Sequence, residues 1–316
     1  MSEIAERLLA GEQRALSRLI TLLESGDPSA AEAMKAVDSH TGRAYTVGIT
    51  GPPGAGKSTI VDQLTQLVRS TGQTVGIIAV DPTSPFDGGA VLGDRIRMQR
   101  HYLDSGVFIR SVATRGQSGG LPRIVKSMVR ALDASGIDLI LVETVGVGQT
   151  ELGIIRVADT VLVALNPESG DTIQTLKAGV MEIADLYLVN KADREGANHM
   201  ATAITGMLHM ATYNPKWTPP VLLTTAHLGQ GIDELWEKVG EHRKFLTTSG
   251  ELKERRGSQR RREFLEAVEE VLVQRLRDKV ENDPNLNATL EKVATKETDP
   301  YSAALGFLES SFFSAD

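Results

Sequence analysis

The sequence predicts an α/β fold in which a mostly parallel central sheet is flanked by helices. Short apolar segments rich in β-branched residues, such as Tyr45–Thr50 and Thr74–Val80, have the length of buried strands. Helical segments separate these strands, and a strand–helix–strand unit of this length implies a right-handed parallel crossover. Polar or glycine-rich loops follow the strands, at the edge where open α/β sheets bind ligands. The chain of 316 residues is long enough for one such domain with appended helices.

The composition excludes several classes of protein. The formal net charge of -7 disfavours a general nucleic-acid-binding role. The chain has no cysteine, which excludes disulfides, thiolate catalysis and thiolate metal sites and suits a reducing compartment. No apolar run approaches the length of a membrane span, and the N-terminus has no apolar signal core. We therefore expect a soluble, cytoplasmic protein with neither nucleic acid nor membrane as a partner.

Residues 1–42 are predicted to form an N-terminal helical extension. Leu8, Leu16, Leu19 and Leu23 recur at helical spacing, and a Gly-Asp-Pro break at 26–28 separates a second short helix. The simplest role of this segment is to cap the main domain, which we expect at residues 43–248.

A phosphate-binding loop is predicted directly after the first strand. Its residues follow the spacing G-x-x-x-x-G-K-[ST] and are Gly51, Pro52, Pro53, Gly54, Ala55, Gly56, Lys57 and Ser58, with Thr59 next in the following helix. Gly51 and Gly56 let the backbone curl so that successive N–H groups face one anion. Lys57 supplies a charge for the β- and γ-phosphates, and the Ser58 hydroxyl can ligate Mg²⁺. The alternative is a glycine-rich strand-to-helix turn with a chance lysine.

Two aspartates are candidates for a Mg²⁺ site. Asp81 ends the second predicted strand, and Asp94 lies in the long polar loop that follows it. Both therefore lie beyond the carboxyl end of a parallel strand, where ligand groups collect. Helix capping or turn chemistry is the alternative role for each.

An apolar segment at 137–142 ends in Glu143, and Gly146 follows three residues later. The carboxylate would orient Mg²⁺ directly or through water, and the glycine N–H could sense the γ-phosphate. The predicted catalytic set is Lys57, Asp94, Glu143 and Gly146, and the predicted metal set is Ser58, Asp81, Asp94 and Glu143. Positive charge for the transition state could come from Arg95, Arg97, Arg115 or a partner protein.

The tetrad at 190–193 has the pattern N-K-x-D and predicts guanine recognition. The Asp193 carboxylate can accept from guanine N1–H and from the exocyclic amine, which adenine cannot supply. Asn190 would tie neighbouring loops together, and the Lys191 stem would cover the purine face. A later strand ends at Thr225 and Ala226, where a backbone N–H could reach guanine O6. These residues favour GTP over ATP, although a strand-end turn with a solvated charge pair is the alternative.

Residues 249–316 are predicted to form a C-terminal helical arm. A charged helix over 251–281 carries an apolar stripe, and a Pro at 284 follows its end. The last segment is rich in large apolar residues, including Tyr301, Leu305 and Phe307. We interpret the arm as a dimerisation element, with packing on the same chain as the alternative. The basic stretch at 254–263 is more typical of a solvated helix face than of a nucleic-acid contact.

With these motifs in view, the chain resembles the GTPases associated with methylmalonyl-CoA mutase, known as MeaB, ArgK or the methylmalonic-aciduria type A protein. They are P-loop GTPases with glutamate in the Mg²⁺-binding motif. The stretches that carry the resemblance are 48–58, 80–85, 92–98, 142–149 and 177–185.

The resemblance implies a GTPase chaperone with slow intrinsic turnover that its partner accelerates. It implies that GTP hydrolysis is coupled to adenosylcobalamin delivery to a cobalamin-dependent acyl-CoA mutase, and to protection of that mutase. It further implies a homodimer, with an adenosyltransferase as an additional candidate partner. The mutase could act on methylmalonyl-, ethylmalonyl- or isobutyryl-CoA.

The resemblance also assigns three switch segments by position: Asp81–Arg97, Glu143–Glu151 and the partner-sensing Pro167–Lys177. Two departures stand out. Gln117 occupies a place where the family usually has histidine, and the third switch reads P-E-S-G-D where P-G-A-G-D is usual.

Three other functions compete with this interpretation. A metallochaperone GTPase for nickel enzymes would want clusters of cysteine and histidine, whereas this chain has no cysteine and six scattered histidines. A small-molecule kinase would need an acceptor pocket and a catalytic base, and the sequence indicates neither. The third is a scaffold without catalysis.

Overall fold

The computed structural model describes residues 2–81, 98–113, 121–144, 150–168, 181–210, 216–282 and 284–312. The strands are β1 Tyr45–Thr50, β2 Val75–Asp81, β3 Val107–Ala113, β4 Leu139–Glu143, β5 Thr160–Leu165, β6 Leu186–Asn190 and β7 Val221–Thr224. The helices are α1 Glu3–Leu9, α2 Gln13–Ser25, α3 Pro28–Val37, α4 Lys57–Ser70, α5 Arg123–Ala134, α6 Thr150–Gly153, α7 Met181–Ile183, α8 Ala197–Met210, α9 Ile232–Ser249, α10 Glu251–Asn282, α11 Pro284–Ala294 and α12 Pro300–Phe312.

The described strands form one sheet in the order β3-β2-β4-β1-β5-β6-β7, and every neighbouring pair is parallel. The α/β fold predicted from the sequence is confirmed. Strand β1 lies between β4 and β5, so the loop that follows β1 is flanked by the carboxyl ends of both of these strands. This order brings segments that are distant in sequence to one edge of the sheet.

Helices cover both faces of the sheet, as a parallel sheet requires. Ile60 and Leu64 of α4 pack on one face, in a core cluster that includes Leu235 of α9. Met128 of α5 and Ile204 of α8 belong to the cluster on the other face. Strands β1, β2, β4, β5 and β6 are buried along their whole length, which explains why they appear in the sequence as continuous apolar runs.

The N-terminal helices share a core with the sheet. Leu8, Leu16 and Leu19 are buried in the same cluster as α5 and the adjoining sheet face. The Glu24 carboxylate pairs with Arg110 of β3, and the Asp133 carboxylate accepts from backbone N–H groups just before β1. These contacts attach α1–α3 to the sheet and set the path by which the chain enters β1.

The chain divides into two compact units, residues 1–255 and 256–316. In the second unit, α11 and α12 contact each other. Large apolar side chains are exposed in this unit, with Phe264 67%, Val271 51% and Tyr301 74% accessible. The domain boundaries expected from the sequence stay a prediction. Among the described helices, none combines the length and apolarity needed to cross a bilayer.

Candidate nucleotide-binding site

The predicted site residues that the structure describes collect at the carboxyl edge of the sheet. The phosphate loop follows β1, Asp81 and Glu143 end β2 and β4, and the N-K-x-D loop begins at the end of β6. Because all strands are parallel, these ends meet at one edge. Asp94, Gly146, Gln117 and the three candidate arginines lie outside the described residues.

The phosphate loop requires glycine at two positions. Gly51 has a φ of +135°, and a Cβ there would collide with the Ala164 carbonyl oxygen. Gly56 has a φ of +84°, and a Cβ there would collide with the Asn190 side-chain amide. Any other residue would therefore be both strained and sterically blocked. Helix α4 begins at Lys57, so its positive N-terminal end faces the loop.

The Lys57 side chain is buried within the loop that it follows. Its Nζ donates to the Gly51 carbonyl oxygen at 2.8 Å and to the Pro52 carbonyl oxygen at 3.1 Å. These bonds stabilise the curl of the loop and hold a positive charge beside it. This is the charge distribution that a polyphosphate needs.

Ser58 and Glu143 are brought together from opposite parts of the sequence. The Ser58 hydroxyl donates to Glu143 Oε1 at 2.7 Å, and both side chains are buried. Glu143 pairs in register with Ala79 of β2, so Asp81, two residues further along, points to the same face of the sheet as Glu143. Asp81 is also buried. The Ser58 hydroxyl and the Glu143 carboxylate are therefore in contact at the first turn of α4, and the Asp81 carboxylate lies on the same face of the sheet as Glu143.

This donor set fits Mg²⁺. In the described part of the chain, no three His, Cys, Asp or Glu side chains come together as a metal site. Mg²⁺, however, is usually held by one or two carboxylates together with substrate phosphates and water, rather than by an all-protein cage. Ser58, Asp81 and Glu143 offer only hard oxygen donors, which suit Mg²⁺ and not a soft metal.

Asn190 joins three loops at this edge. Its Nδ2 donates to the Ala55 carbonyl oxygen of the phosphate loop at 2.8 Å. Its Oδ1 accepts from Ala226 N at 3.0 Å and from Thr224 Oγ1 at 3.2 Å. The Ala226 N–H, which the sequence predicts to contact guanine O6, thus already donates to Asn190 Oδ1. Guanine O6 would have to share this N–H with Asn190 or take the place of Asn190 as its acceptor.

The loop after Asn190 has an unusual backbone. Lys191 has a φ of +57°, a conformation that residues other than glycine rarely adopt. The following amide, Ala192 N, donates to the Thr224 carbonyl oxygen at 3.0 Å, and Arg194 N donates to the Lys191 carbonyl oxygen at 2.9 Å. This turn leaves the Asp193 side chain exposed at the rim of the site.

The structure gives contacts to two residues for which the sequence predicted no individual role. Asn166 follows β5, is 4% exposed, and its Nδ2 would lie 3.9 Å from a Cβ on Gly54. Within the described residues, its buried Oδ1 has no hydrogen-bond partner. The neighbouring Glu168 places Oε2 3.1 Å from Lys191 Nζ. The available signal was a polar residue directly after a buried strand, at the same edge as the known motifs.

A second polar cluster lies at the opposite, amino edge of the sheet. Thr160 Oγ1 bonds Tyr45 Oη and, at 2.8 Å, His242 Nδ1. Arg255 binds both carboxylate oxygens of Asp185, at 2.8 and 3.0 Å. Burial lowers the pKa of His242 although the nearby Asp185 carboxylate opposes this, and burial raises the pKa of Tyr45.

A further polar cluster attaches the segment before β3 to α4. The Asp62 carboxylate of α4 binds Arg100 and lies 3.0 Å from His101 Nε2. Burial and the neighbouring Arg100 charge lower the pKa of His101. We interpret this cluster as structural, because its charged groups satisfy one another.

The fold and the phosphate loop define a P-loop nucleotide-binding protein. The chain belongs to the family of methylmalonyl Co-A mutase-associated GTPases, MeaB, whose sequence profile matches residues 16–281. The family resemblance expected from the sequence is confirmed. The protein is therefore a GTPase that binds guanine nucleotide.

Three relatives illustrate the similarity. A protein of Pyrococcus abyssi named as a GTPase is 48% identical over 309 residues, which cover 96% of this chain and 94% of that protein. The mouse methylmalonic aciduria type A homolog, mitochondrial, is 32% identical over 270 residues, which cover 80% of this chain and 65% of that protein. The crystal structure of a LAO/AO transport system kinase superposes with a TM-score of 0.73 at 28% identity, and covers 99% of this chain and 97% of that one.

Proposed function

We propose that this GTPase couples GTP binding and hydrolysis to the delivery of adenosylcobalamin to a cobalamin-dependent acyl-CoA mutase. It also protects that mutase, and methylmalonyl-CoA mutase is the first candidate. The observation that carries the proposal is the extent of the family match. It runs from residue 16, in α2, through the nucleotide domain to residue 281, near the end of α10. A bare GTPase motif would have matched only the loops at the carboxyl edge.

The contacts at that edge support the roles proposed for the nucleotide-site residues. Lys57 and the loop amides would hold the phosphates, and Ser58, Asp81 and Glu143, together with Asp94, would hold Mg²⁺. When bound, Mg²⁺ supplies positive charge to the β- and γ-phosphate oxygens. The Ser58–Glu143 hydrogen bond of 2.7 Å supports this role, because it orients both oxygen donors before nucleotide enters.

Gly146 is proposed to sense the γ-phosphate through its N–H. Such a contact exists only with the triphosphate, so it would report hydrolysis to the segment that contains it. The segments Asp81–Arg97, Glu143–Glu151 and Pro167–Lys177 are proposed as the three switches.

Guanine is proposed to lie against the N-K-x-D loop. Asp193 accepts from N1–H and the exocyclic amine, Lys191 covers the purine face, and Thr225 and Ala226 line the O6 side. The Asn190 bonds to Ala55, Thr224 and Ala226 support this assignment, because they fix the base loop against the phosphate loop.

A homodimer is proposed through the second unit. The exposed apolar side chains of Phe264, Val268 and Val271 support it, because they recur at helical spacing along α10 and form an apolar stripe that suits a second copy. An adenosyltransferase is a further proposed partner, and the cysteine-free chain suits the cytoplasm as the site of action. Size-exclusion chromatography with light scattering tests the dimer: a monomer across the micromolar range would contradict it.

Two measurements test the central proposal. Phosphate release from GTP is followed with and without a candidate mutase, and we expect slow basal turnover that the mutase accelerates. Mutase inactivation during turnover is followed with wild type and with Lys57→Ala, and we expect protection only by wild type. A fast basal rate that no mutase changes, or full protection by Lys57→Ala, would overturn the proposal. GTP consumption that requires a small-molecule acceptor would instead indicate a kinase.

A further inference from the structure

The turn that follows β5 lies between the phosphate loop and the base loop. Asn166 approaches Gly54 of the phosphate loop, as described above. Pro167 lies near Gly196 of the base loop, where a Cβ placed on the glycine would be 3.8 Å from the Pro167 Cβ. The Glu168 carboxylate forms ion pairs with the base loop. The three consecutive residues 166–168 therefore lie beside both halves of the nucleotide site.

The Glu168 carboxylate binds two cations of the base loop. Its Oε2 accepts from Lys191 Nζ at 3.1 Å, and its Oε1 lies 3.7 Å from an Arg194 guanidinium nitrogen. The Lys191 backbone is already held in its left-handed conformation by the turn around Ala192 and Arg194. Since the backbone is fixed at one end, the contact with Glu168 determines where the long and otherwise mobile lysine side chain lies.

We propose that Glu168 is a positioning residue of the guanine nucleotide site. It acts through Lys191: it holds the ammonium group so that the methylene stem stays over the place of the purine, and it slows nucleotide dissociation. This inference rests on the base-binding role proposed above for Asn190–Asp193. It deepens that role by naming what holds the base loop in position.

The contact also provides a route for regulation. Residues 167 and 168 begin the segment proposed as the partner-sensing switch, so a partner that moves this segment would break the Glu168–Lys191 contact and speed nucleotide release. Thermodynamic linkage makes the coupling reciprocal: bound guanine nucleotide restrains residues 166–168 by the same free energy.

The contact is partly exposed, with side-chain accessibilities of 34% for Lys191 and 48% for Glu168. Ion pairs at such sites have modest strength and weaken as salt rises. We therefore expect an effect of about two- to fivefold on the dissociation rate of GDP.

The test uses the full-length chain and the dissociation rate of a fluorescent GDP analogue chased with unlabelled GDP. Glu168→Gln removes the charge and keeps the shape, and Glu195→Gln is the matched control. Glu195 is exposed in the same loop and has no ion pair among the described residues. We expect Glu168→Gln to accelerate GDP release two- to fivefold at low salt. The acceleration should be much smaller near 1 M salt, because the electrostatic screening length there is about 3 Å. The control should match wild type at both.

A double-mutant cycle separates positioning from a general structural effect. Lys191→Met keeps an apolar stem and removes the charge, so Glu168→Gln should add much less in that background, where only the 3.7 Å contact with Arg194 remains. An equal acceleration in both backgrounds would overturn the proposal, as would a Glu168→Gln rate equal to that of the Glu195→Gln control. If wild type does not prefer GDP over ADP, the base-binding assignment fails and this inference with it. If wild type prefers GDP over ADP but Glu168→Gln releases GDP at the same rate as the Glu195→Gln control, this inference fails and the base-binding assignment stands.

Discussion

The two edges of the sheet both bury polar side chains, yet they use them differently. At the amino edge, opposite charges pair with one another: the partly exposed Arg255 binds both oxygens of the buried Asp185. At the carboxyl edge, side chains converge on the phosphate loop: Lys57 donates to two of its carbonyls, and Asn190 donates to the Ala55 carbonyl. The first arrangement stabilises the fold, and the second shapes the surface that a nucleotide meets.

The comparison teaches that burial of a charged group is not by itself a sign of function. Asp185 and Glu143 are both carboxylates at strand ends and both are buried. The difference is the partner. Asp185 has a guanidinium, whereas Glu143 has the hydroxyl of a residue in the phosphate-loop helix. A guanidinium competes with a metal ion for a carboxylate, whereas a serine hydroxyl is itself a hard oxygen donor that can bind the same cation.

Lys57→Ala should have the largest effect of these variants, and the effect should be on GTP hydrolysis, the function of the carboxyl edge. Loss of the ammonium group removes charge from the phosphates, so we expect kcat/KM for GTP hydrolysis to fall by about 10²- to 10³-fold. The midpoint of thermal unfolding without nucleotide serves as the control and should fall only slightly, because the two lost hydrogen bonds lie within one loop. A variant that unfolds several degrees lower yet hydrolyses GTP normally would break the contrast between the edges.

Asp193→Asn should change the choice of base. The amide has a donor where the carboxylate had an acceptor, so it opposes the guanine amine and suits a 2-oxo purine such as xanthine. We expect GDP to bind about 10- to 100-fold more weakly and xanthosine diphosphate to bind more tightly than to wild type. Competition against a fluorescent nucleotide measures both. Unchanged preference for GDP would remove Asp193 from the site.

Arg255→Ala should affect the opposite edge and spare the nucleotide. It leaves Asp185 buried without its guanidinium, so we expect the free energy of unfolding to fall by about 1–3 kcal/mol, less than for a fully buried pair because Arg255 is partly exposed. Lys253→Ala, an exposed charge removed from the same helix, is the matched control for urea unfolding. Equal loss in both variants, or weaker GDP binding in the folded Arg255 variant, would contradict the assignment.

The pH dependence of stability should be the smallest effect. His242 and His101 titrate near 6.5 in the unfolded chain, and burial lowers both pKa values in the folded state. The unfolded state therefore binds more protons below pH 6.5, so stability present above that pH is lost as the pH falls. His242→Gln should flatten this fall in urea unfolding at successive pH values. An unchanged slope would show that His242 does not contribute.

Local patterns predicted much of the site because its chemistry is local. The turn around Gly51 and Gly56 needs glycine at both positions, and no other residue type would fit the close approach to Ala164 and Asn190. The N-K-x-D loop follows directly from its strand in the same way. The sequence predicted that Ser58 and Glu143 would both bind Mg²⁺, but not that they are hydrogen-bonded to each other, because 85 residues separate them.

The residues missed from the sequence have roles that depend on contacts between distant segments. Glu168 acquires its role from Lys191, 23 positions away, and His242 from Thr160, 82 positions away. Neither contact leaves a periodic or spaced pattern that a single sequence could reveal. Helix α8 at Ala197–Met210 likewise gave no clear signal, because its composition is rich in alanine and methionine and weakly amphipathic.

The sequence by itself determined the α/β class, the nucleotide loops and the family, because apolar runs, glycines and motif spacing are properties of neighbouring residues. Only the tertiary structure decided the strand order β3-β2-β4-β1-β5-β6-β7 and what that order places together. Strand order depends on which apolar faces pack best over the whole sheet, and the packing free energy has contributions from residues throughout the chain. It is the strand order that sets β5 beside β1 and β6, and so brings Asn166 to the phosphate loop and Glu168 to the base loop.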